Sequence, residues 1–345
     1  MKKCFQLLWL ICASGFALAC IWDEDTLEME KRRFPEAMEL ITGKFLRHSP
    51  EFYQWRIKDR EAKLKVTPKQ WSYYDDLAVA YAKLHNHAKA IELMWQKEKL
   101  YPHQYETYAN LGTFYIHDKQ YKKGLEYIKK AIVINPNAHF GREVYQQYLV
   151  EYVLGKRQNG KTTLPLDTSN QTSNFYNFLS EKTDKLDVNP QEVINGVLGM
   201  IKFGNHDSPI LLEALGDLLA MNVGLPENAT RLAYFAYQKA AIEAKDNTAK
   251  KMYHKKMAVL NQDKPEQLDK LLAQSIQEGK KFYQQIRNNE MRWIAEGKNP
   301  EKEFAQKYYK KATHQPSTDS IPYFAWLLVA LAGVALVWFI TKRKR

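Results

Sequence analysis

Apolar and small side chains recur with helical spacing between Trp71 and Ala138, and the same order occurs twice at an offset of 34 residues. The first copy consists of Tyr74, Leu77, Ala78, Tyr81, Ala90, Met94, Lys97 and Pro102, and the second of Tyr108, Leu111, Gly112, Tyr115, Gly124, Ile128, Ala131 and Pro136. Small residues at matching positions let two helices approach closely, and the large residues between them fill the remaining space. The pattern predicts two helical hairpins over residues 71–138.

This repeated order resembles the tetratricopeptide repeat (TPR) family, in which such hairpins stack into an α-solenoid. Tyr replaces the usual Trp at the first position of both copies, and Lys97 stands where a small residue is usual. The resemblance implies TPR-like helical-hairpin repeats. Together with the flanking helical periodicity and the apolar C-terminal stretch described below, it predicts an all-α fold with additional helices and one C-terminal transmembrane helix. It also implies a scaffold that binds other polypeptides, although a fold does not by itself determine a function.

In TPR proteins the first helix of each hairpin lines a concave groove. The positions that the resemblance assigns to this groove are Asp75, Val79, Lys83, Ala109, Thr113 and Ile116. Their mixed and weakly charged character favours a neutral or partly apolar peptide segment over a terminal carboxylate. The alternative, that they only pack against a neighbouring helix, stays open at this point.

The flanks of the repeats also show helical periodicity. Residues 34–70 predict a helical hairpin that caps the stack, because two repeats alone bury little surface, and residues 139–155 predict a capping helix at the other end. The opening from Trp22 to Trp55 resembles the start of uncharacterised secreted or membrane-anchored bacterial repeat proteins.

The second half of the chain is predicted to be helical as well. Polar residues, Gly and Pro over 156–175 are typical of a linker or an ordered surface loop. A second helical region follows over 176–315, with a degenerate repeat at 208–244 and one long helix at 266–296.

The N-terminus has the features of a secretory signal peptide over residues 1–19: two lysines, an apolar run, and a small-x-small cleavage site at Ala17-Leu18-Ala19. Cys20 follows this site directly and resembles the acylated cysteine of bacterial lipoproteins, so lipidation and plain cleavage are both open. Residues 20–33 predict an acidic, solvated lead-in.

The C-terminus predicts a membrane anchor. A spacer at 316–322 leads into a transmembrane helix at 323–341, which contains eighteen consecutive residues without a charge. The basic tail 342–345 then favours a cytoplasmic end. Together the two termini predict a single-pass membrane protein whose body lies outside the cytoplasm, on the periplasmic side of a bacterial inner membrane.

Charge argues against nucleic acid as a partner. The formal net charge is +12, but Lys2, Lys3 and the four basic residues of the tail contribute half of it. The remaining +6 is modest for a body of this size and lacks the concentrated field of a nucleic-acid-binding protein.

The motifs that could carry chemistry are weak. Gly155 to Thr162 matches the phosphate-binding loop GxxxxGKT, but it follows a helical segment and runs into Pro165, whereas such a loop needs a buried strand before it. His85 and His87 lie in a turn without further ligands at suitable spacing. We therefore predict no catalytic residue, no metal site and no cofactor.

The sequence thus favours a non-enzymatic, membrane-anchored TPR scaffold that binds a protein or peptide segment in its groove. Two alternatives remain: an envelope assembly or tethering lipoprotein that uses Cys20, and an enzyme with an unrecognised site in the second helical region. The pattern does not predict the oligomeric state.

Overall fold

The computed structural model describes residues 21–169, 171–183, 189–221, 225 and 227–309. Every regular element in these ranges is helical, which confirms the all-α fold class for the described part of the chain. None of the helices in these ranges combines the length and the apolar character that crossing a bilayer requires. The predicted signal peptide, Cys20, spacer, membrane helix and basic tail all lie outside the described residues.

The described chain forms two compact units, which divide after Pro300. The first unit opens with three helices: α1 (Glu24–Glu30), α2 (Ala37–Thr42) and α3 (Pro50–Val66). Side chains just before α1 and α3 cap these helices, because the Asp23 carboxylate accepts a hydrogen bond from the Thr26 N–H and the Ser49 hydroxyl from the Phe52 N–H.

Four helices then follow within the repeated pattern: α4 (Trp71–Lys83), α5 (His87–Leu100), α6 (Tyr105–His117) and α7 (Tyr121–Ile134). Each of them packs against the next along the chain, joined by short turns. Small residues set the closeness of the α6 and α7 contact, because a Cβ added at Gly112 would lie 2.6 Å from the Cδ1 atom of Ile128. The space left by the glycine is thus filled by the facing side chain.

The chain continues through a 3₁₀ turn (Ala138–Gly141) into α8 (Arg142–Lys156), and then through the loop 157–173 into α9 (Asn174–Lys182). Helices α10 (Pro190–Phe203), α11 (Pro209–Leu219), α12 (Ala229–Glu243) and α13 (Asn247–Val259) follow. They supply most of one apolar cluster, which we call the second core, whereas α4–α6 supply most of the other, the repeat core. Helices α11 and α12 lie within the predicted degenerate repeat and pack tightly, with Tyr237 against Gly216.

The segment predicted as a linker is anchored to the second core. Glu213 and Asp217 on α11 are buried, and their carboxylates accept hydrogen bonds from the backbone N–H groups of Leu166 (2.8 Å) and Phe175 (3.0 Å). The Lys256 ammonium lies 3.2 Å from the Glu213 carboxylate and 3.1 Å from the Asp217 carboxylate, and its positive charge stabilises both. The buried charges therefore fix the loop, which makes it ordered structure and not a free spacer.

Helix α14 (Pro265–Ala295), near the end of the first unit, packs against α2 and α3 near the beginning of that unit and also against α12. A Cβ at Gly279 would collide with the carbonyl oxygen of Thr42, so the two backbones lie in direct contact there. The second unit, as far as it is described, contains α15 (Pro300–Phe304) from its second residue onward and a π-helical turn (Ala305–Tyr309). Phe304 packs against two tyrosine rings of this turn.

Candidate functional site

The groove residues inferred from the repeats all lie on α4 and α6, but they do not face solvent. Asp75, Val79, Ala109, Thr113 and Ile116 are each at most 1% exposed, and Lys83 is half-buried. The Lys83 ammonium donates a hydrogen bond to the Phe203 carbonyl oxygen at 2.5 Å, at the end of α10. The faces of α4 and α6 that carry these residues are therefore covered by other parts of the chain.

Part of the cover is residues 21–30, which we call the N-terminal segment. Ile21 is 2% exposed and belongs to the same apolar cluster as Val79 and Ala109. The Trp22 ring lies edge-on to the rings of Tyr105, at 5.6 Å, and of His139, at 4.7 Å. The expectation of a solvated lead-in is wrong for this segment, because its aromatic and aliphatic side chains pack into the repeat core.

Asn110 holds the backbone of this segment from both sides. Its Oδ1 atom accepts a hydrogen bond from the Trp22 N–H at 2.9 Å, and its Nδ2 atom donates one to the Trp22 carbonyl oxygen, also at 2.9 Å. The same Nδ2 lies 3.5 Å from the Asp75 carboxylate. Both bonds join Asn110 to main-chain atoms, so this contact depends on the position of the backbone of residue 22 and not on the identity of its side chain.

Asn110 was missed at the level of sequence, because the groove positions transferred from the family include its neighbour Ala109 instead. A signal was present: Asn is disfavoured in the interior of a helix, where its side chain competes for backbone bonds. An asparagine fully buried in the middle of α6 therefore marks a polar contact.

The acidic side chains at the start of the segment are paired with arginines of α3. Asp23 lies 3.0 Å from the buried guanidinium of Arg56, and Arg60 donates a hydrogen bond at 2.7 Å to Asp76 of α4. Asp76 also accepts a hydrogen bond from the Glu24 N–H at 3.3 Å. Burial raises the pKa of Asp23, while Arg56 opposes that shift.

A histidine links the segment to the long helix. The Nε2 atom of His48 lies 2.8 Å from the Asp25 carboxylate, and its Nδ1 atom lies 2.5 Å from that of Glu290 on α14. Burial lowers the pKa of His48, but these two carboxylates outweigh it and raise the pKa to about 9. The imidazole is thus a buried cation at neutral pH, and it stacks on Phe52 at 3.6 Å.

The far end of the segment is held by helices of the second core. The Glu30 carboxylate bonds with the Nδ1 atom of His139 at 2.6 Å and forms a short ion pair with Arg142. Burial opposes its charge, yet His139 and Arg142 together lower the pKa of Glu30. Lys202 donates a hydrogen bond to the Met29 carbonyl oxygen at 3.2 Å.

A cleft of about 570 Å³ opens beside this end of the segment. Its lining consists of Glu30, Phe34, His139, Arg142, Glu192, Asn195 and Gly196. Phe34 gives the cleft an apolar side. On its polar side, Glu30 pairs with His139 and Arg142, so these charges largely neutralise one another. The last residue of the segment, Glu30, is thus part of the lining of this cleft.

The motifs with catalytic appearance lie elsewhere. Gly155 is inside helix α8, and Gln158 pairs with Lys161 in a tight turn, so no buried strand precedes the loop at 155–162 as nucleotide binding requires. His85 lies in the turn before α5 and His87 is the first residue of that helix, and their rings are 6.1 Å apart. In the described ranges, no three His, Cys, Asp or Glu side chains are grouped so that they could hold a metal ion.

A comparison of the chain with protein-family models and with curated proteins found no match.

Proposed function

We propose that this protein is a non-enzymatic helical-repeat scaffold of the TPR type, which binds a polypeptide segment on the concave side of α4–α7. Its body lies outside the cytoplasm, and the stretch 323–341 anchors it to a membrane. The observation that carries the proposal is the pair of hydrogen bonds between the Asn110 side chain and the backbone of Trp22. A peptide held through its main chain is what a docking groove requires.

The segment in the groove indicates which ligands suit it. An apolar residue and a tryptophan enter the core at one end, and carboxylates follow that meet Arg56, His48 and Arg142 along the path. The ligand class is therefore a short polypeptide with an apolar or aromatic start and acidic residues after it. Buried arginines and a cationic histidine discriminate against basic segments, because an unpaired cation would be desolvated there.

Because the chain supplies such a segment itself, a partner binds only by exchanging with residues 21–30. A tethered segment competes at a local concentration in the millimolar range for a short linker. A partner then needs either high affinity or enrichment near the same membrane. The groove would thus respond to a local excess of its ligand and ignore dilute competitors.

The exchange is tested in the full chain, with a protease site introduced into the connection between α1 and α2, where Arg33 and Phe34 are exposed. After cleavage, a fluorescent peptide with the sequence of residues 21–33 is added and its anisotropy is followed. We expect saturable binding that a peptide with Asp23→Lys does not show. A cleaved chain that unfolds, or that stays folded without exchange, would refute the groove as a docking site.

The membrane location has a separate test. A reporter fused behind Arg345 is expected to stay protected from protease in spheroplasts, while a tag in the 157–173 loop is digested. Digestion of both or of neither contradicts the proposed orientation.

A further inference from the structure

Three helix ends in the repeat region leave apolar side chains in water at a regular interval. Helices α3, α5 and α7 end at Val66, Leu100 and Ile134, which are 34 residues apart. These side chains are 82%, 47% and 44% exposed, and Val133 and Trp71 beside them are 84% and 44% exposed. A repeated apolar row at an edge differs from the isolated exposed residues that soluble proteins carry, and it marks an interaction surface.

The topology places the three ends on one side of the repeat stack. Consecutive helices from α3 to α7 pack against each other and are joined by short turns, so every second helix ends at the same edge. A direct contact joins the first two turns, because the Tyr101 hydroxyl donates a hydrogen bond at 2.5 Å to the Lys69 carbonyl oxygen. We call residues 65–71, 99–104 and 133–137 the basic edge.

The exposed charges within these three ranges have one sign, and Glu98, which borders the second range and accepts a hydrogen bond from the His103 N–H, is only 14% exposed. Lys65, Lys69 and Lys99 are exposed there, and the three ranges contain no Asp or Glu. The turns at the opposite ends of these helices differ, since residues 84–86 and 118–120 contain no exposed large apolar side chain and the charges of Asp118 and Lys119 balance there. If the same edge of a second copy of the chain docked here, lysines would face lysines. The edge therefore suits a partner with anionic groups at its surface and an apolar layer below them.

We infer that the basic edge rests on an anionic lipid surface, with its lysines at the headgroups and Val66, Leu100, Val133, Ile134 and Trp71 in the interfacial layer. Lysine around exposed aliphatic and tryptophan side chains is the composition of interfacial membrane contacts. The inference rests on the proposed membrane location and is independent of peptide exchange in the groove. It fixes which edge of the body faces the bilayer.

The test uses the full chain reconstituted into vesicles, with a fluorescent amino acid at position 67 on the basic edge. A matched chain has the same probe at position 119 on the opposite edge, where Lys119 is also exposed. Brominated lipids report contact by quenching. We expect quenching at position 67 and none at position 119, and we expect it in vesicles of phosphatidylcholine and phosphatidylglycerol but not in phosphatidylcholine alone.

The triple variant Val66→Glu, Leu100→Glu, Ile134→Glu is expected to abolish the quenching. The control triple Ile242→Glu, Val259→Glu, Leu271→Glu changes residues of similar exposure elsewhere and should leave it intact. Equal quenching at both probe positions, or none at either, overturns the inference, as does equal loss in the two triples. Peptide exchange is measured without lipid, so its failure is a different result from this one.

Discussion

Replacing Asn110 by alanine tests how firmly this side chain holds the N-terminal segment. The change removes both hydrogen bonds to the Trp22 backbone, each 2.9 Å long, and the weaker contact with Asp75. It leaves the helix intact, because alanine has the highest helix propensity. The perturbation therefore acts on the contact between α6 and the segment and not on α6 itself.

The expected magnitude follows from the two backbone groups left without a protein partner. An unsatisfied buried donor or acceptor costs about 1–3 kcal/mol. Trp22 is half-buried, so water can reach part of its backbone once the side chain is gone. We expect the free energy of unfolding to fall by about 2–4 kcal/mol, toward the lower part of the summed range.

Hydrogen exchange followed by mass spectrometry separates a local from a global effect. Amides of residues 21–30 are expected to exchange faster in Asn110→Ala, and by a larger factor than the amides of α11 and α12, which belong to a different apolar cluster. Asn174→Ala is the matched control, since Asn174 is 9% exposed and donates to the Gln171 carbonyl at 3.0 Å, away from the segment. Unaltered exchange at 21–30 in Asn110→Ala would refute the assignment of Asn110 as the residue that holds this segment.

Three further predictions address other contacts. The folded pKa of His48 lies above its unfolded value of 6.5, so its stabilisation is complete below pH 6.5 and lost as the pH rises through about 9; urea unfolding against pH should show this loss in wild type and not in His48→Gln. Lys256→Met strands two buried carboxylates of α11 and should lower the free energy of unfolding by about 3–5 kcal/mol at neutral pH, measured by denaturation. Gly279→Ala should lower the melting temperature because its Cβ meets backbone, whereas Gly155→Ala, with open space around its Cβ, should raise it slightly.

The sequence allowed the helices to be located because their spacing is a local property. A 34-residue offset between matching small and large residues indicates paired helices without knowledge of any contact, and α4–α7 occupy residues 71–134. The long helix was similarly placed at 266–296 and observed at Pro265–Ala295. The spacing could not show what covers α4 and α6, because the contacts of the N-terminal segment reach residues far along the chain. Asp25 pairs with His48, which also pairs with Glu290, and Glu30 pairs with Arg142.

The acidic segment looked solvated for a sound physical reason: an isolated buried carboxylate is so costly that exposure is the default for a run of acids. The sequence of α3 nevertheless contains the cations that allow these carboxylates to be buried. Phe52, Arg56 and Arg60 recur every four residues, which puts two arginines on the same face as a core aromatic residue, and all three are buried. Cations on the apolar face of a helix require anions from elsewhere in the fold. A short acidic stretch next to such a helix in sequence is therefore better interpreted as its partner than as a solvated leader.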